Sequence, residues 1–129
     1  MMHRLTTCWS SQTKTVRRII TSISRQNGIS WIACGKKGID LRRSVEILAE
    51  NFEIKRLGIV GGGHINGAFL QSGLLDEVSV MIGGGIDGRA GMAAVFDGIK
   101  EKNYPPTMLT LNDVERMGNT VWLKYTVNK

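Results

Sequence analysis

Residues 56–80 read RLGIVGGGHINGAFLQSGLLDEVSV. A short apolar run enters three consecutive glycines, Gly61, Gly62 and Gly63; a helix-like segment follows, and a β-branched run closes the unit. The spacing predicts a strand over 56–60, a helix over 64–73 ended by Gly73, and a strand over 76–82. Strand, glycine run and helix together aim backbone N–H groups at an anion. The first N–H groups of a helix have no internal acceptor, and the macrodipole puts partial positive charge beside them. Glycines also remove the Cβ atoms that would hold a phosphate off. The competing need is structural: a tight turn, with the glycines serving close helix–strand packing. The pattern alone leaves both open. It is not the dinucleotide fingerprint G-x-G-x-x-G, because Asn66 stands at the last place and Gly67 comes one residue late; nor does a Gly-Lys-Ser/Thr follow, as a Walker loop requires.

Working upstream, TKTVRRIITSISRQN (13–27) has Val16, Ile19, Ile20 and Ile23 at helical spacing, and Asn27-Gly28 is a stop. ISWIAC (29–34) reads as a short buried strand. Asp40 can cap a second helix over 41–52, whose Leu41, Val45, Leu48 and Ala49 share a face. Downstream, GGGIDGRAG (83–91) is a second glycine loop, either a plain turn or a cover for a ligand, and 92–106 is irregular. MLTLNDVERM (108–117) and TVWLKYTV (120–127) flank Gly118-Asn119, the signature of a β-hairpin. Alternating helices and strands imply an α/β fold with a mixed, mostly parallel sheet flanked by helices, closed by a C-terminal antiparallel hairpin. The chain opens on a polar stretch and a helix, with no strand legible there.

The 129 residues suit a single domain, and 42% apolar with 22% charged residues is an ordinary globular balance. No apolar run approaches the ~20 residues of a membrane span, and the start has no apolar signal-peptide core. Its basic, acid-free character bears a faint likeness to a transit peptide. Cys8 and Cys34 lack metal-ligand spacing, which points to a reduced, cytoplasmic protein, with Cys34 a small buried hydrophobe. His3 and His64 are the only histidines, so no metal site is expected. The net charge is +6, and residues 1–39 hold seven Lys and Arg with no acid. A solvated helix face is the usual meaning of such a run; attraction of a phosphorylated ligand comes second, and nucleic acid last, since no aromatic platform accompanies the charges.

Around the glycines, His64 reads as a first-turn surface residue or a ligand contact, and Asn66 as part of a polar face or a ligand contact. Asp76 and Glu77 read as a solvated strand end or a partner for Arg89. No Ser/His/Asp set and no carboxylate pair stands out.

GIVGGGHINGAFLQSGLLDEVSVMI with the later Asp87-Gly88 resembles the C-terminal reductase domain of the bifunctional deaminase-reductase of riboflavin biosynthesis, which has a dihydrofolate-reductase-like fold. Gly61–Gly63, Gly73-Leu74 and Asp76-Glu77 carry the likeness; ISWIACGKKGIDLRRSVEIL and VWLKYTV are weaker flanks. It covers about residues 28–127, so the N-terminal part of the family fold is expected to lie outside the chain. The resemblance implies an NADPH-dependent reductase acting on a small-molecule substrate, a ribosylaminopyrimidine, with hydride transfer from the cofactor. It also implies cofactor binding by Gly61, Gly62, Gly63, His64, Ile65 and Asn66, and a homodimer formed through the later strands. Catalytic residues are not legible. Where the family carries Glu ahead of the glycines, this chain has Val60, which neither accepts a hydrogen bond nor carries charge. A non-catalytic nucleotide-binding or oligomerising relative is therefore the alternative.

Overall fold

The computed structural model describes residues 5–9, 21–35 and 38–129, and the chain divides into two compact units, 1–57 and 58–129. In the first unit, β1 (Leu5–Trp9) pairs in parallel with β2 (Ser30–Ala33). Strand β1 was not anticipated from the sequence. Its residues Leu-Thr-Thr-Cys-Trp are mostly strand formers, but they are too few and too irregular in polarity to announce a period of two.

Helix α1 is described over residues 21–26, and it stops where Asn27-Gly28 predicts. Gly28 N–H donates to the Arg25 carbonyl at 3.2 Å and Ile29 N–H to Ser24 at 2.9 Å, the paired bonds of a Schellman stop. The apolar stripe fails at its one described member: Ile23 is 52% exposed, and its neighbour Ser24, one 100° step around the helix, is buried instead. Val16, Ile19 and Ile20 lie outside the described residues, as do all the basic residues of 1–39 except Arg25.

Helix α2 (Leu41–Phe52) begins as expected, with the Asp40 carboxylate accepting the Arg43 N–H at 2.9 Å. It packs on β2. Leu41, Val45 and Leu48 are half-buried, but Ala49 is exposed and Ser44 takes the inward place. Ser44 is tolerated there because its hydroxyl donates to the Asp40 carbonyl at 2.6 Å. Ile32 and Cys34 supply the buried apolar side chains of this unit, and Cys34 is a free thiol, as its sequence context suggests.

The strand expected over 56–60 is absent: residues 53–62 have no regular structure. A strand exists only as a ladder partner, and among the described residues none pairs with this segment; Val60 is fully exposed. Helix α3 (Gly63–Gln71) follows and ends in a second Schellman stop, Gly73 to Leu70 at 3.0 Å and Leu74 to Phe69 at 3.1 Å. Gly73 has φ 65, which an L side chain adopts only at a cost.

Strands β3 (Glu77–Ile82), β4 (Leu109–Met117) and β5 (Thr120–Val127) form an antiparallel sheet in the order β3-β5-β4. The hairpin of β4 and β5 turns through Gly118-Asn119, as predicted, with Gly118 at φ 62. Directly opposed residues share a face. One face carries Val78, Val80 and Ile82, then Val121, Leu123, Tyr125 and Val127, then Leu109, Leu111 and Val114. The register skips Asn112, and this bulge brings Val114 onto the same face as Leu111, although three residues separate them. Asn112 then donates to Thr126 Oγ1 at 2.7 Å.

The opposite face is polar. Trp122 Nε1 donates to Ser79 Oγ at 2.6 Å, and Lys124 Nζ lies 4.0 Å from the Trp122 ring centroid and 2.9 Å from Asp113 Oδ2. Hydrogen bonding to Lys124 holds the Asp113 carboxyl below the ordinary aspartate range. A depressed carboxyl contributes stability above its unfolded pKa, and that contribution is lost as pH falls through the folded value. In an NMR titration, Asp113 is expected to titrate below the usual aspartate range and to return toward it in Lys124→Met.

Candidate functional site

The glycine run is resolved residue by residue. Gly61 has φ 100, and the Gly61–Gly62 peptide is cis. Gly62 is the N-cap of α3, with φ −71 and ψ −172; its carbonyl accepts Ile65 N–H at 3.0 Å and Asn66 N–H at 3.1 Å. That closes the first turn. The N–H groups of Gly62, Gly63 and His64 have no acceptor among the described residues, as the start of a helix dictates. Apart from its chain neighbours, no atom of the described residues lies within 4 Å of where a Gly62 Cβ would stand.

Gly63 and Gly67 have a different purpose. One turn apart on α3, both face the backbone of 94–97: a Cβ on Gly63 would overlap the Ala94 carbonyl, and one on Gly67 would overlap the Asp97 carbonyl. The approach is secured by Asp97 N–H donating to the Gly63 carbonyl at 3.0 Å and Asn66 Nδ2 donating to the Val95 carbonyl at 2.7 Å. The packing reading is met by Gly63, and by Gly67 beyond the run, whereas a Cβ on Gly62 would meet nothing among the described residues. The packing partner is the irregular stretch after the second loop rather than a strand.

Of the six residues singled out, Gly62, Gly63 and His64 present free N–H groups, and Gly61 makes the turn into the helix. The Ile65 side chain is half exposed. Asn66 is turned toward 94–98, and its Oδ1 is buried without a hydrogen-bond partner. Asp97 is not legible as a site residue in the sequence pattern. Its Oδ1 accepts Gly98 N–H at 2.6 Å, and its Oδ2 lies 3.7 Å from His64 Nδ1. Asp97-Gly98, so soon after a glycine-rich loop, was the available signal.

The loop 83–91 carries its own ion pair. Arg89 Nη2 donates to Asp87 Oδ2 at 2.7 Å, with Nε on Oδ1, and this contact lowers the Asp87 carboxyl and raises the Arg89 guanidinium from their ordinary values. Asp76 pairs with Lys129 at 2.6 Å rather than with Arg89, because Arg89 has an acceptor two residues away. At its base the loop meets the hairpin turn, where a Cβ on Gly84 would stand 3.0 Å from the Asn119 carbonyl. Among the described residues, no group of three or more His, Cys, Asp or Glu could hold a metal ion, and no helix is long and apolar enough to cross a membrane. The start of α3 offers backbone N–H groups without acceptors among the described residues, a donor set whose chemistry fits a phosphate of a cofactor.

The chain is thus a mixed α/β protein in which a glycine turn leads into α3 and the later strands form an antiparallel sheet. The chain belongs to the RibD C-terminal domain family, whose model matches residues 3–123. Among solved structures it is similar to a pyrimidine reductase-like protein from Corynebacterium diphtheriae, at TM-score 0.76 and 17% identity, over 95% of this chain and 49% of that one. It is also similar to Acinetobacter baumannii RibD, form 2, at TM-score 0.67 and 19% identity, over 94% of this chain and 31% of that one. Form 1 of the same protein gives TM-score 0.66 and 19% identity, over 95% and 31%. The chain therefore spans a third to a half of the length of these structures.

The division of labour among the glycines is testable. Gly67→Ala is expected to cost about 2–3 kcal/mol by overpacking against Asp97. Gly62→Ala should cost under about 1 kcal/mol, the loss of a modest N-cap. Urea denaturation of the two variants measures the difference.

Proposed function

We propose that this chain is a reductase module of the riboflavin-biosynthesis type, similar to 5-amino-6-(5-phosphoribosylamino)uracil reductase, using NADPH to reduce a ribosylaminopyrimidine. The supporting observation is the start of α3: three N–H groups without acceptors among the described residues, with nothing among those residues near the Cβ position of Gly62, in a chain of the RibD C-terminal domain family. NADPH, when bound, supplies the hydride. The chain's own part is to anchor and orient. Gly62, Gly63 and His64 offer N–H groups to the cofactor's phosphates, and Gly61 sets the turn that exposes them. Asn66 holds the helix start against 94–98. The dihydrofolate-reductase-like character of the fold and a cytoplasmic setting belong to the same reading.

A second reading, a nucleotide-binding or oligomerising relative without catalysis, is favoured by Val60. It stands fully exposed where the family places a carboxylate, and no other acid or base is yet assigned to the reaction. NADPH consumption with a ribosylaminopyrimidine separates the two.

The cofactor site has a direct test. Gly62→Asp is expected to abolish NADPH binding, because it plants a negative charge at the helix start. It should leave the fold intact, since the position is open and Asp is a good N-cap. Fluorescence titration checks the first point and circular dichroism the second; normal NADPH affinity in this variant would rule out the assignment.

We extend the proposal to a homodimer. Strand β4 is exposed along all nine residues, and Leu111, Val114 and Ile82 are among the large apolar side chains left open on one sheet face. Sedimentation equilibrium is expected to give a dimer for the wild type and a monomer for Leu111→Glu/Val114→Glu. A monomeric wild type at micromolar concentration would sink the idea.

A further inference from the structure

We draw no further inference here: the strongest candidate, the exposed apolar patch of Ile82, Val121 and Val114 at the end of the β3-β5-β4 sheet where the loop bearing the fully exposed Ile86 begins, carries nothing beyond the homodimer already proposed, because nothing in the structure shows what covers it.

Discussion

The second unit depends on how closely the backbone of α3 can approach the backbone of 94–97. Two side-chain-free positions one helical turn apart allow that approach, and the bonds from Asp97 N–H to Gly63 and from Asn66 to Val95 lock it. Everything at the helix start follows. The first turn is held against 94–98, and the N–H groups of Gly62, Gly63 and His64 are left without acceptors among the described residues. The same contact brings Asp97 to His64. A larger side chain at Gly63 or Gly67 would push the segment away and take the carboxylate with it.

How much of this was legible depended on whether the signal was local. The hairpin could be read to within one residue, because its turn chemistry and the alternation in TVWLKYTV lie within one short stretch. The Asp40 cap and the stops at Gly28 and Gly73 were equally local. The strand expected at 56–60 failed because an apolar run is only half of a strand; the other half is a neighbour, which composition cannot supply. Strand β1 was missed for the opposite reason, its pairing with β2 being clear in space and its sequence ambiguous. On β4, the period of two breaks at Asn112, and only the bulge shows that the break preserves an apolar face.

Three glycines before a helix raised two explanations; close packing is seen at Gly63, and at Gly67 beyond the run, and phosphate binding is the proposal. What reveals the packing is the location of 94–98, more than 25 positions downstream in a stretch without periodicity. Asp97 entered the site by that route, with no motif to announce it. Asn66, grouped with the ligand contacts on sequence grounds, turns its amide inward instead. The pairing of Asp76 with Lys129 and of Arg89 with Asp87 was likewise a matter of tertiary distance.

The order of the antiparallel sheet also has a kinetic meaning. β5 is the central strand, and its two partners differ greatly in separation along the chain. β4 is joined to it by two residues, Gly118 and Asn119, whereas β3 reaches it only after the loop from 83 to 108 has been closed. Hairpins form in roughly 1–10 μs, and long loop closures are paid for in entropy before any contact rewards them. The β4–β5 ribbon is thus the template, and β3 is recruited to an edge that already exists. The Trp122–Ser79 bond joins the ribbon to β3. The indole hydrogen bond therefore reports on the docking of β3 rather than on the hairpin turn.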